Sequence, residues 1–306
     1  MDEFNCIAVL GATASGKTKL ACRLADRLNG EIISADSRQV YQFLDIGTGK
    51  DLDEYVLGGK KIRYHLINTV PPEEQFYLHQ FVEQLQLAFD HIRAQQKVPI
   101  ICGGTGLYLD ALRKEFSLTD VKENEGLRAE LAGYSKQQLT ARLTQYPLDL
   151  IEHVDQSSVK RIIRGIEIAE YHLLHRIRPE KRQLPYKPYY LGIRRSIEQR
   201  KQLISKRLVT RLENGLLEEV ESLLKRGVPP ERLEWLGLEY KFVLHQLQGK
   251  ISKQELLEKL QTAIFQFAKR QMTWFRKMEK EGVKINWIEE AHREATLEVL
   301  AEIFSR

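Results

Sequence analysis

Residues Gly11 to Thr18 read Gly-Ala-Thr-Ala-Ser-Gly-Lys-Thr, set between the apolar run Cys6-Ile7-Ala8-Val9-Leu10 and a stretch of helical periodicity from Lys19 to Leu28. A short, partly β-branched apolar run is what a strand buried on both faces presents. The bounding glycines let backbone N–H groups turn toward an anion, and the following helix adds the positive end of its dipole. The spacing therefore predicts strand, phosphate-cradling loop and helix. The loop residues Gly11, Ala12, Thr13, Ala14, Ser15, Gly16, Lys17 and Thr18 are expected to hold a di- or triphosphate. Lys17 would reach the outer phosphate as a point charge, and the Thr18 hydroxyl would complete the shell of a Mg²⁺ that keeps several waters. The loop alone leaves open which phosphate compound is bound.

Outward from this loop, Glu31-Ile32-Ile33-Ser34 predicts a second strand that delivers Asp36 to its C-terminal end, where ligands bind in open parallel sheets. A further strand is expected over Arg63 to Asn68, and a helix over Phe76 to Gln96 with Phe81, Leu85, Ala88 and Ile92 on one face. Val98 to Cys102 reads as another buried strand, ending in Gly103-Gly104-Thr105-Gly106. This alternation predicts the α/β class, a P-loop NTPase-like parallel sheet flanked by helices. From Phe116 the pattern turns to short polar helices at Asn124 to Ala132, Lys136 to Gln145 and Ser157 to Leu174, a helical insertion. Arg176 to Lys187, with Pro179 and Pro185, reads as a loop before Pro188 to Ile193 returns to the sheet. The expected division is thus a first core part over 1–115, an insertion over 116–186 and a second, mostly helical core part over 187–306. Helices are expected at Glu198 to Asn214, Leu216 to Arg226 and Glu239 to Leu247. A long one starts at Ser252 with Glu255 in a capping box and a stripe of Leu256, Leu260, Ile264, Phe267, Gln271, Trp274 and Met278.

No run approaches the roughly 18–20 apolar residues of a membrane span, so no membrane partner is expected. The N-terminus runs directly into the first strand, leaving no room for a signal peptide. Cys6, Cys22 and Cys102 lie far apart, with neither disulfide framework nor metal spacing. A cytoplasmic location follows as the expectation. Ser157 to Arg211 holds 15 Lys and Arg against 4 Asp and Glu, while the whole chain carries only +5. Such a block is either a solvated face or a surface for a polyanion, and its spread over several elements favours nucleic acid.

Taken together, GATASGKT, ISADSRQVYQFLDIGTGK from Ile33 to Lys50, Tyr64-His65-Leu66, GGTGLYL from Gly103 to Leu109 and FAKRQMTWF from Phe267 to Phe275 resemble the tRNA dimethylallyltransferases, the tRNA isopentenyltransferase family. They stand in the family's order and span nearly the whole chain. The resemblance implies transfer of a dimethylallyl group from dimethylallyl diphosphate to the exocyclic amine of adenosine 37, beside the anticodon, by a monomer. On that reading Lys17 and the loop amides stabilise charge on the leaving diphosphate. Asp36 accepts the amine proton, or else holds Mg²⁺ through water, and Thr105 hydrogen-bonds near the leaving group. The extruded base would be read by Ser37, Arg38 and Gln39 next to Asp36. Lys160, Arg161 and Arg164 of the insertion would grip the tRNA anticodon arm, with Arg207 and Arg211, one helical turn apart, reaching phosphate.

The chain departs from the family pattern in three places. Asp155-Gln156-Ser157-Ser158 replaces an Asn-Pro-x-Asp-like turn, Phe265 stands where an arginine is usual, and Asp51 follows Lys50 where a proline is common. Two other readings share the loop: a P-loop kinase of a nucleotide or small molecule, and an enzyme that prenylates a free adenine nucleotide.

Overall fold

The computed structural model describes residues 3–114, 121–152, 154–176, 184–289 and 293–304. Strand β1 (Cys6–Leu10) has no side chain exposed to solvent, which is why its sequence is apolar without alternation. Helix α1 (Lys17–Arg27) returns along one face of the sheet to β2 (Gly30–Ser34). A small hairpin of β3 (Val56–Leu57) and β4 (Lys60–Lys61) turns on Gly58 and Gly59, both at positive φ. Then come β5 (Tyr64–His65), α2 (Leu78–Ala94), β6 (Val98–Gly103) and the short α3 (Gly106–Asp110).

The helical segment holds α4 (Glu125–Leu131), α5 (Lys136–Leu143), α6 (Leu148–Ile151) and α7 (Val159–His175). The sheet resumes with β7 (Pro188–Ile193). Four helices follow, α8 (Ile197–Glu213), α9 (Leu216–Lys225), α10 (Pro230–Leu236) and α11 (Leu238–Leu247). The long α12 (Lys253–Lys280), edge strand β8 (Ile285–Ile288) and α13 (Arg293–Phe304) complete the chain.

The six main strands are all parallel, in the order β5-β2-β6-β1-β7-β8. The chain leaves β1 for β2 and returns to fill the gap with β6, and only later places β7 on the other side. The switch point of a doubly wound sheet therefore falls at the C-terminal end of β1. Ile7, Val9, Ile32, Ile100 and Leu191 pack with Leu20, Leu24 and Leu300 into one buried core.

Two compact units emerge: Met1–Arg113 with Tyr186–Arg306, and Lys114–Pro185. The boundary at 115/116 and most of the loop at 177–183 lie outside the described residues. The second unit has its own core of Leu127, Leu131, Leu139, Leu143, Ile162 and Ile166.

Two expectations need correction, and two elements carry no signal in the sequence. The strand expected at Arg63 to Asn68 pairs over only two residues, because Leu66 and Asn68 take positive φ and turn the chain away. Strand β8 and helix α10 were not anticipated, being four and seven residues long, below the length at which periodicity speaks. On α12 the buried stripe runs through Ala268, Gln271 and Phe275, while Phe267 and Trp274 turn out of it. The Ser252 capping box is present: Glu255 N donates to Ser252 Oγ at 3.2 Å and Ser252 N donates to Glu255 Oε2 at 2.9 Å.

Inside the helical unit, the fully buried Glu167 carboxylate accepts from Arg128 Nε at 2.7 Å, Arg164 Nη1 at 3.1 Å and Asn124 N at 2.9 Å. Burial pushes its pKa up, yet these hydrogen bonds outweigh burial and hold it below the usual carboxylate range. Its stabilisation is therefore complete above the unfolded value of about 4.3 and is lost as pH falls through the lower folded value. Glu167→Gln should cost about 1.5–3 kcal/mol at neutral pH, with a smaller difference from wild type under acid, in urea titrations of the whole chain.

Candidate active site

The register fixes what can meet. Leu10 pairs with Gly103 and Ser34 with Cys102, so the loops after β1, β2 and β6 leave the sheet at one level. Pairing continues past the strands, with Ala35 N donating to Cys102 O at 2.8 Å and Thr105 N to Ala35 O at 3.3 Å. Gly103 is glycine because a Cβ there would enter the Ala35 backbone.

The phosphate loop turns through Ala14 at φ 59° and Gly16 at φ 83°, the latter capping α1 in the left-handed region that glycine adopts without strain. Lys17 is the first residue of α1, and Thr18 the second. Burial pulls the Lys17 ammonium below its ordinary value and the neighbouring Arg207 adds to this, while the charge of Asp36 opposes both.

Lys17 and Thr18 open onto a cavity of about 590 Å³ that also takes in Asp36, Ser37, Arg38, Gln39, Thr105, Arg207, Arg211 and Glu239. Ten of the residues expected at the site, Thr13 among them, thus line one space. Asp36 Oδ1 accepts from Arg38 N at 2.9 Å, a tight turn that aims the carboxylate. Thr105 Oγ1 accepts from Ser37 N at 3.1 Å, tying the turn after β6 to the turn after β2.

Gln39 is buried. Its Oε1 accepts from Ser34 Oγ at 3.0 Å and its Nε2 donates to Gly49 O at 3.1 Å, so only the remaining N–H and lone pair could meet a ligand. The Arg38 guanidinium lies 4.3 Å from the centroid of the Trp235 ring, and Arg232 lies 4.4 Å from the same centroid. Arg232 is itself held by Pro72 O at 2.7 Å, so the stack pins α10 to the turn that carries Asp36.

Arg207 and Arg211 project from α8 onto the Gly47-Thr48-Gly49 turn. Arg207 bonds Gly49 O at 3.3 Å and pairs with Asp51, and Arg211 bonds Gly47 O at 3.2 Å and faces Glu239 at 3.5 Å. Lys160, Arg161 and Arg164 belong to the helical unit. Lys160 is exposed, Arg161 pairs with Asp155 at 2.6 Å and bonds Ser157 Oγ at 2.7 Å, and Arg164 is a corner of the Glu167 network. The basic block therefore offers less free charge than its composition suggests.

Four positions escaped the sequence reading. Gln271 Oε1 accepts from Thr13 N at 2.8 Å while its Nε2 donates to Gly104 O at 2.9 Å, joining the phosphate loop to the turn of Thr105 through a side chain 258 residues away. Glu219 accepts from the N–H groups of Asp45 at 2.9 Å, Ile46 at 2.7 Å and Gly47 at 3.0 Å, and from Tyr240 Oη at 2.7 Å. The fully buried Lys50 ammonium donates to Tyr41 O at 2.7 Å, Asp45 Oδ1 at 2.6 Å and Asn68. Trp235 had no periodic or motif signal. The only cue for Gln271 was a polar residue within an apolar stripe.

Such a switch-point loop sharing a cavity with Asp36, Thr105, Arg207 and Arg211 defines a P-loop-type α/β enzyme acting on a phosphorylated compound. The sequence profile of the IPP transferase family matches residues 39–278. A tRNA dimethylallyltransferase 2 of Treponema denticola is 47% identical over 294 residues, covering 94% of this chain and 96% of the relative. One from Bacteroides fragilis is 44% identical over 290 residues, covering 94% of each. The crystal structure of a tRNA delta(2)-isopentenylpyrophosphate transferase from Staphylococcus epidermidis superposes with a TM-score of 0.68 at 29% identity and 98% coverage of both chains. A eukaryotic dimethylallyltransferase acting on tRNA gives a TM-score of 0.73 at 25% identity, covering 93% of this chain and 73% of that one. The chain belongs to the IPP transferase family.

Gln271 supplies a direct test of the site's construction. Gln271→Ala should lower stability by about 1–3 kcal/mol, the cost of orphaning buried polar groups, and weaken pyrophosphate binding. Gln271→Glu should be at least as damaging, since a carboxylate accepts from Thr13 N but cannot donate to Gly104 O. Thermal melts with and without pyrophosphate check both.

Proposed function

We propose that this protein transfers a dimethylallyl group from dimethylallyl diphosphate to N6 of adenosine 37 in tRNA, giving N6-isopentenyladenosine. The observation that carries the reading is the single cavity shared by Lys17, Thr18, Asp36 and Thr105. Membership of the IPP transferase family and the names of its relatives support it.

The diphosphate sits on the loop amides and Lys17. Arg207 and Arg211, expected from sequence to reach RNA phosphate, open onto the same cavity and are assigned here to the diphosphate. As the allylic C–O bond breaks, its electron pair stays on the leaving oxygen, and these cations stabilise that charge. The N6 lone pair forms the new C–N bond, and the N6 proton passes to Asp36, whose Oδ2 has no hydrogen-bond donor among the described residues.

The Thr18 hydroxyl, on the cavity wall beside Lys17, would be the residue to hold a Mg²⁺ at the bound diphosphate. No group of three acidic, histidine or cysteine side chains surrounds it among the described residues, as an all-protein cage would need. Such an ion would add positive charge at the diphosphate.

The flipped base enters beside Ser37 and Arg38, with Gln39 shaping the turn behind them. Exposed cations of the helical unit, Lys160 foremost, are assigned to the anticodon arm. No helix among the described residues is long and apolar enough to cross a membrane, and a monomeric cytoplasmic enzyme fits the reading.

The test is product analysis with dimethylallyl diphosphate and either tRNA or free adenine nucleotides, with and without chelator. Prenylated tRNA is expected, abolished by chelation and restored by Mg²⁺, with RNA binding that weakens steeply as salt rises. Prenylation of free nucleotide alone, or phosphate transfer from ATP, would sink the proposal. Asp36→Asn should cut kcat by about 10² to 10⁴-fold while RNA affinity stays near wild type. An undiminished kcat would remove Asp36 from the chemistry.

A further inference from the structure

Three cations face one another where the diphosphate would bind. Arg207 disfavours the charge of Lys17 and that of Arg211. Two carboxylates lie on the arginine side of this cluster. Asp51 pairs with Arg207, and Glu239, on the cavity wall, has Oε1 3.5 Å from Arg211 Nη1.

Neither carboxylate is needed to anchor its arginine, since each guanidinium also bonds a backbone carbonyl. Asp51 precedes the short 3-10 turn Leu52–Tyr55 without a capping hydrogen bond from its side chain. Glu239 stands in the first turn of α11, where its carboxylate accepts from its own backbone N–H, and Arg207 and Arg211 are separately anchored to Gly49 O and Gly47 O. Each arginine on the cavity wall thus already has an anionic partner.

We infer that Asp51 and Glu239 are stand-in anions: Arg207 and Arg211 exchange them for the diphosphate when the prenyl donor binds, and the carboxylates reclaim the arginines to expel pyrophosphate. The inference rests on the reading of this cavity as the diphosphate site.

The physical need is specific to this chemistry. Breaking the C–O bond adds an anionic oxygen to the leaving group, so pyrophosphate carries more negative charge than the bound donor diphosphate. A purely cationic cavity would hold the product more tightly than the substrate and would stall on it. Competing carboxylates weaken the grip on both anions. They speed release at the expense of donor affinity.

The experiment is calorimetric titration of inorganic pyrophosphate into the full chain, for wild type, Glu239→Gln and Asp51→Asn, alongside steady-state prenyl transfer to tRNA. Asn suits position 51 because that residue sits at φ 46°, in the left-handed region asparagine tolerates. Each variant should bind pyrophosphate about ten-fold more tightly, equivalent to about 1.4 kcal/mol, with both the KM for the prenyl donor and kcat reduced. Binding that is unchanged or weaker in both variants overturns the inference and makes the carboxylates mere props for the arginines. If wild type itself fails to bind pyrophosphate, the diphosphate reading falls along with it; wild-type binding that both variants leave alone sinks this inference only.

Discussion

The register among β2, β6 and β1 is the constraint on which the rest depends. Three strands buried on both faces can slip against one another only by exposing apolar side chains or breaking ladder hydrogen bonds. With Leu10 opposite Gly103 and Cys102 opposite Ser34, three separate loops reach one edge of the sheet within a residue of each other. The phosphate loop, Asp36 and Thr105 meet for that reason, and Gln271 then locks two of the three loops together through one amide.

Around this edge the protein handles charge by local pairing. The turn from Asp45 to Lys50 is held from outside by Glu219, which takes three consecutive N–H groups, and from inside by the Lys50 ammonium. Burial pulls the Lys50 pKa down, and the Asp45 carboxylate counters it. A turn fixed from both sides gives Arg207 and Arg211 a firm carbonyl anchor. The two arginines can therefore change anionic partners without losing position. Glu239 shows the complementary effect: burial lifts its pKa, while Arg211 pulls it back.

Legibility followed local physics. The phosphate loop, the first two strands and the Ser252 capping box were readable because each is specified by contiguous residues. Asp36 and Thr105 were readable because a strand's C-terminal end implies where its next residues lie. Arg207 and Arg211 were seen as a pair, but their pairing with Asp51 and Glu239 was not, since the partners come from distant segments. The partner of Arg164 was equally hidden: its guanidinium bonds Glu167 three residues on, a contact that helical spacing permits but does not require.

The sequence by itself determined the α/β class, the order of elements around the phosphate loop and the residue types gathered at the sheet edge, because hydrophobic period and loop chemistry act over a few residues. Tertiary structure alone decided which charges face the cavity and which are internal, that Gln271 and Trp235 brace the loops, and that Phe267 and Trp274 leave the buried stripe. Hydrogen bonding and desolvation depend on which atoms the sheet and helices bring within about 3 Å, and no periodicity along the chain encodes that distance.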